Sequence, residues 1–411
     1  MTLFHNIRKL YTPLGPAAVR GVSMRSILEL DDAAILVRDD GTIEAVGPAS
    51  SFDIHHSSFE LVDCRGLVAL PGFVDSHTHC AFAGERSAEA AMRAEGRSYQ
   101  EIAQMGGGIR SSVEQVRAAS IDDIVTYSKP FAQRALALGT TTMEIKSGYG
   151  LSTSDERKLL EAAARLGSET SMEVIVTYLG AHAVPKNKSQ TEYVEEIVAE
   201  QLPTLHGLAE FCDVFMDEGY FTRAETIRIC IRAKELGLKI KLHADELAET
   251  NGARTAAELG AFSADHLLKI SDDGIGALAS SERTVATLLP ITALSLRAPY
   301  APARKLIDAG CAVAIATDCN PGSAMSENMQ LAISLAVFGM QMTPAEALCA
   351  ATINGAAALD RASTHGSIER NKLADFVLCY IPRLEYLPYH VGVSDVVSVV
   401  KAGKIVYGDR I

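Results

Sequence analysis

Two histidines one residue apart, His77 and His79, close the apolar run Leu70-Pro-Gly-Phe-Val-Asp-Ser-His-Thr-His79. In an extended strand, positions i and i+2 face the same way, so both imidazoles can reach one divalent cation. The same spacing also suits one packed and one solvated histidine. Later apolar runs decide between the two. They close in Glu144-Ile-Lys146-Ser-Gly-Tyr149, Leu179-Gly-Ala-His182, Met216-Asp217-Glu218, His243-Ala-Asp245-Glu246, Asp265-His266 and Asp318-Cys-Asn320-Pro-Gly322-Ser323. Of the 11 histidines, five (77, 79, 182, 243 and 266) stand at such ends, with Asp318 as a sixth group. Random placement rarely concentrates them so.

Three neutral imidazoles and one carboxylate form a mixed nitrogen and oxygen set, suited to Zn²⁺ or Fe²⁺ and poor for Mg²⁺ or Ca²⁺. The ligand set read from the runs is His77, His79, His243 and Asp318, with Asp318 also counted among the catalytic groups. Water on such a metal has its pKa lowered toward ~7. Glu246, three residues after His243, is placed to move a proton from water to a leaving nitrogen. The bland alternative is a surface glutamate at a helix start. His266 is expected to orient the water or polarise a scissile carbonyl, the alternative being a structural histidine.

These groups need a scaffold that gathers strand ends. Eight short apolar runs, 69–76, 139–145, 172–180, 210–216, 238–243, 261–265, 284–289 and 311–317, alternate with amphipathic stretches such as Asp155–Gly167. Ser98-x-x-Glu101 suits a capping box, and Ser154 and Thr222 suit N-caps. Alternating strands and helices imply a parallel sheet, and eight units in ~300 residues predict a (β/α)8 barrel with its chemistry at the strand C-termini. A doubly wound open sheet is the rival. It would prefer a glycine-rich phosphate turn where His-Thr-His stands. Residues 1–66 and 371–411 read as strands and turns, with hairpin signals at Asp39-Asp-Gly41 and Gly403. They are expected to form one composite β-sandwich domain flanking a catalytic domain over 67–370.

Hydrophobic residues make up 48% of the 411, enough for a substantial core. The net charge of −13 argues against nucleic acid or another polyanion as partner. No apolar run approaches the ~20 residues that span a bilayer, and the N-terminus lacks a signal-peptide core. Eight scattered cysteines, none in a Cys-x-x-Cys pair, read as reduced buried thiols. A cytoplasmic protein acting on a small molecule is expected.

The whole pattern resembles the amidohydrolase superfamily over nearly the full chain. His-x-His on strand one, histidines on strands five and six, and an aspartate on strand eight carry the likeness. Two-metal members bridge their ions with a carboxylated lysine on strand four. Here Asp217-Glu218 ends that strand and Lys146 lies on strand two, which favours one metal. Finer blocks resemble the imidazolonepropionase family. They are His77-Thr-His79 with Phe82-Ala-Gly84 and Arg86, Gly106-Gly-Gly-Ile109, Glu144–Gly150, Gly180–Pro185, His243–Glu246, Ser263–His266 and Ala316–Ser323.

That resemblance implies hydrolytic opening of the ring of 4-imidazolone-5-propanoate to N-formimidoyl-L-glutamate. It assigns substrate contacts to Arg86, Tyr149, His182, Glu246, Asn320, Gly322 and Ser323. Arg86 is expected to grip the propanoate bidentately. Gly106-Gly-Gly108 reads equally as a loop hinge or an ordinary turn. Cys319, where the family often has an aromatic residue, and residues 291–300 depart from the pattern and bear on substrate preference. A homodimer is common among such proteins. A cytosine- or guanine-type deaminase would share the metal set without needing Arg86, and a silent scaffold would be expected to lose ligands.

Overall fold

The computed structural model describes residues 1–53, 59–97, 101–102 and 105–408. Eight parallel strands pair in chain order: Phe73–Asp75, Thr140–Lys146, Glu173–Ala181, Phe211–Met216, Lys239–Ala244, Ser263–His266, Val285–Leu288 and Val313–Ile315. Each matches one of the eight apolar runs. Strands buried on both faces lose the alternation of half-exposed ones and read as near-continuous apolar runs. The barrel is nearly closed. Its first and eighth strands meet beyond their ladders, through a parallel bridge between Thr78 and Cys319. There Asp318 N–H donates to His77 O at 3.0 Å and His79 N–H donates to Cys319 O at 2.9 Å. The seam of the barrel therefore runs through proposed ligands.

Several helices between the strands start where short polar side chains satisfy free backbone donors. Ser120 caps Ile121–Ala137 and Thr222 caps Arg223–Glu235, each in a full capping box. The helix Thr153–Glu169 is capped by Ser152, not by Ser154, because Ser152 is the residue in extended conformation whose oxygen reaches Asp155 N–H. The capping box expected at Ser98 falls outside the described residues.

The termini build one continuous mixed sheet. Its order is Lys404–Tyr407, Val396–Lys401, Phe376–Cys379, Val68–Pro71, Thr2–Thr12, Leu28–Val37 and Ile43–Pro48, with Glu60–Asp63 beside Thr2–Thr12. The sheet curls until Thr42 bridges Leu373, enclosing Phe4, Ile7, Ile35, Ile43, Phe376 and Leu378. The first apolar run is thus two strands: Val68–Pro71 pairs within the terminal sheet and Phe73–Asp75 enters the barrel. Gly72 makes the crossing, and a Cβ there would lie 2.4 Å from Thr141 Cγ2 and Oγ1.

Candidate active site

The mouth of the barrel is a cavity of ≈ 440 Å³ lined by His79, Arg86, Tyr149, His182, His243, Glu246, His266, Asp318, Asn320 and Ser323 among others. Several backbones that deliver these groups are strained. Asp318 and His266 have φ of +54° and +76°, and Asp245 beside Glu246 has +50°. Left-handed conformations cost energy for residues with a Cβ and persist where surrounding contacts over-determine them.

His77, His79 and His243 bring one ring nitrogen each to within 4.8 Å of the others. Asp318 Oδ1 lies 3.5 Å from His77 Nε2 and 3.6 Å from His79 Nε2, while its Oδ2 accepts from Thr292 at 2.6 Å. His77 Nε2 is buried without a hydrogen-bond partner among the described residues. A buried, unpartnered nitrogen facing other nitrogens and a carboxylate is costly unless a cation satisfies it. The residues present therefore fit one divalent metal.

A set of charged residues inside the barrel orients these rings. His77 Nδ1 lies 2.7 Å from Asp265 Oδ2, and His243 Nδ1 lies 3.0 Å from Asp213 Oδ2. Fixing Nδ1 leaves Nε2 to face a metal and strengthens the ring as a ligand. Lys146 donates to Asp213 at 2.7 Å and lies 2.9 Å from Glu144 and 3.7 Å from Asp265. Lys241 reaches Glu144 at 2.9 Å and Ser76 O at 2.7 Å. All five of these charged side chains are fully buried. Burial alone would favour a neutral Lys146, but Asp213, Glu144 and Asp265 outweigh it and hold the ammonium above its usual range. A carboxylated bridging lysine requires a neutral amine, so Lys146 is a structural cation.

The titratable groups are tuned by the same burial. Burial pushes Glu246 up to about 8, reinforced by the Asp318 charge. Asp318 is raised to about 6 by burial, against its hydrogen bond from Thr292. His77, His79 and His266 are held well below the usual range by burial and by neighbouring cations. His182 falls to about 3 for the same reason, with His243 next in importance. His243 alone is raised, because Asp213 outweighs burial.

Glu246 turns inward, its Oε2 3.6 Å from His266 Nε2. Asp217 fixes that turn by accepting from the backbone N–H groups of Glu246, Leu247 and Ala248 at 2.8, 2.9 and 3.0 Å. His182 stacks on His79 at 5.0 Å, and its Nδ1 lies 3.1 Å from Gly148 O. A carbonyl only accepts, so Nδ1 carries the proton and Nε2 is left as an acceptor. Tyr149 is buried beside them, its ring 5.7 Å from that of His79.

Two expectations about substrate contacts change. Arg86 is at the cavity wall, but Glu89 takes its Nε and Nη2 edge bidentately at 2.9 and 2.8 Å. Its Nη1 faces Ser112 and Gly322 instead. The second change concerns the loop after strand eight. Asn320 donates to Asp318 O and Ser323 Oγ, and its Oδ1 accepts from the N–H groups of Gly322 and Ser323 at 2.8 Å each. This is an Asx turn, which spends the polar groups of Asn320 and the two N–H groups on the loop itself. Asn320 and Ser323 line the cavity as its shaped wall.

The turn at Gly106–Gly108 is anchored through Gly108 N–H, which donates to Glu89 at 2.8 Å. Ser295, Leu296, Arg297 and Ala298, from the atypical stretch 291–300, also line the cavity. Cys319 is fully buried away from it. Sequence reasoning gave no role to Asp213, Asp265, Lys241, Thr292 or Glu89. The available signal was charge inside apolar runs at i, i+2 spacing, as in Glu144-x-Lys146 and Lys241-x-His243.

Comparison with known proteins accords with this architecture. The model of the Amidohydrolase family matches residues 68–406. The chain is 43% identical over 404 residues to imidazolonepropionase of Thermoanaerobacter pseudethanolicus, covering 97% of this chain and 96% of that one. It is 45% identical over 410 residues to imidazolonepropionase of Porphyromonas gingivalis, covering 98% and 96%. Among solved structures, a zinc-bound adenosine deaminase from Xanthomonas campestris superposes with a TM-score of 0.75 at 21% identity, covering 100% of this chain and 93% of that one. A 5-methylcytosine deaminase from Klebsiella pneumoniae does so with a TM-score of 0.75 at 14% identity, covering 100% and 98%. At such identities the two deaminases share the fold alone. The chain belongs to the amidohydrolase family, among its imidazolonepropionases.

Proposed function

We propose that the protein is a metal-dependent hydrolase that opens the ring of 4-imidazolone-5-propanoate to N-formimidoyl-L-glutamate. The observation that carries this reading is one cavity lined by His79, His243, Glu246 and Arg86, with His77 converging on the two histidines. The relatives of 43–45% identity supply the substrate. His77, His79, His243 and Asp318 would hold one divalent metal, for which Zn²⁺ and Fe²⁺ both suit the donors. Bound there, the metal lowers the pKa of a water and polarises a carbonyl oxygen.

The chain's own residues do the rest. Glu246 accepts a proton as water adds to the ring carbonyl carbon, then delivers it to the ring nitrogen as the adjacent C–N bond breaks. A carboxyl group held near 8 by burial exchanges protons close to neutral pH. His266, kept neutral, sits over Glu246 and steadies it against the carbonyl. Nε2 of His182 accepts a ring N–H, and Tyr149 packs beside the ring. Arg86 meets the propanoate through its Nη1 side, and Asp318 anchors the loop of Asn320, Gly322 and Ser323 that walls the site.

Among the described residues no helix is long and apolar enough to cross a membrane. All eight cysteines are buried and free, which supports the proposed cytoplasmic setting. The proposed homodimer would elute at twice the chain mass with light-scattering detection. The function is tested by assaying purified protein on imidazolone propanoate beside cytosine, guanine and adenosine. Ring opening without ammonia release is expected. Ammonia release from a nucleobase, with imidazolone propanoate untouched, overturns it.

A further inference from the structure

The cavity wall carries a second arginine, Arg93, for which the mechanism above has no use. The helix Ser87–Ala94 follows Arg86 and presents Glu89 and Arg93 on the same face, three and seven residues on. Glu89 grips Arg86 bidentately and also accepts from Gly108 N–H. Nη2 of Arg93 donates to Gly322 O at 3.1 Å. Its Nη1 is buried and has no hydrogen-bond partner among the described residues. Glu89 Oε2 is 3.8 Å from that Nη1, an ion-pair distance but too long for a hydrogen bond.

The side chains of Arg86, Glu89 and Arg93 are only 5%, 7% and 16% exposed. Two guanidinium groups thus share the Glu89 carboxylate in a mostly buried cluster, and the cationic Arg93 keeps one strong donor without a hydrogen-bond partner among the described residues. Burying such a charge is costly unless an anion completes it. Both guanidinium groups close on Gly322, Arg86 against its α-carbon and Arg93 on its carbonyl. Both line the same cavity.

We propose that Arg93 is a specificity-determining residue that, with Arg86, holds the carboxylate of the substrate. This rests on the function proposed above. Two cations around one anion select a substrate with an acidic tail and reject the same ring without it. An analogue lacking the charge leaves both guanidinium groups where they are and gains less from them. Glu89, ion-paired to both, is the positioning residue that holds them together.

The test compares Arg93→Gln and Arg93→Lys with the unaltered enzyme on imidazolone propanoate and on its primary amide, with thermal melts to check folding. For Arg93→Gln, kcat/KM on the acid should fall about 10- to 100-fold, the scale of one charged hydrogen bond, mainly through KM. The amide, which offers only a neutral acceptor, should lose clearly less than the acid, and Arg93→Lys should recover part of the loss on the acid. Equal losses on acid and amide, or no loss on either, overturn the assignment. An unaltered enzyme that opens neither compound overturns the proposed function and the assignment with it.

Discussion

Asp265 makes no contact with the cavity, yet its removal should be felt first in metal affinity. Its Oδ2 lies 2.7 Å from His77 Nδ1, with both side chains fully buried. A hydrogen bond to a charged partner contributes ~1.5–3 kcal/mol, and a neutral one ~0.5–1.5. Asp265→Asn keeps an acceptor beside the ring and loses only the charge, a difference of ~1–1.5 kcal/mol. At ~1.4 kcal/mol per tenfold, metal should bind about 5- to 10-fold more weakly. Asp265→Ala removes the whole contact and frees the His77 ring to turn, so the loss should reach about 10- to 100-fold. Competition of each purified variant with a chromophoric chelator for Zn²⁺ gives the three dissociation constants, and melting curves confirm folding. A folded Asp265→Ala protein that binds Zn²⁺ as tightly as the unaltered chain would refute the orienting role.

Other perturbations separate the remaining roles. Glu246→Gln should retain the metal and lose at least ~10²-fold in kcat, because the amide cannot carry the proton; near-normal turnover rules the role out. Gly322→Ala places a Cβ 2.3 Å from Arg86 Nη1, 2.7 Å from Cζ and 2.9 Å from Nη2. Glu89 prevents Arg86 from yielding freely, so KM should rise by ~10-fold or more, and an unchanged KM would contradict the close packing. Glu173 offers a pH test. Although burial raises its pKa, His365, Arg361 and Lys401 dominate and bring it from the usual 4.5 to about 2. Between those values the unfolded chain binds the proton more readily, so the stabilisation is full above about 4.5 and lost as pH falls toward 2. The melting temperatures of the unaltered chain and Glu173→Gln should therefore differ at pH 6 and converge toward pH 3; a constant gap would refute the linkage.

Barrel strands are legible in a sequence because parallel strands must be apolar on both faces, and each of the eight runs became one. The run at 69–76 misled because Val68–Pro71 and Phe73–Asp75 are both fully buried, although they belong to different sheets. Nothing in their hydrophobicity separates them. Only Gly72, which must pass Thr141 closely, marks the break. Histidines at strand ends stood out because His is uncommon and five of the 11 fell at the ends of apolar runs. Asp213, Lys146, Glu144, Lys241 and Asp265 were harder, since each is a charge within an apolar run and their pairing links four separate strands. Arg86 was found by its place after His79, but its orientation depends on Glu89, and the Asx turn of Asn320 is a hydrogen-bonding choice that composition does not encode.

One metal held by His77, His79, His243 and Asp318 is proposed to serve hydrolysis of imidazolone propanoate. Stripping the metal and titrating Zn²⁺ or Fe²⁺ back while reading ring opening tests this most directly. Turnover should be absent at the start, rise linearly and saturate at one equivalent per chain, and His243→Ala should show neither tight binding nor turnover. Full turnover in the stripped protein, or saturation at two equivalents, would contradict it.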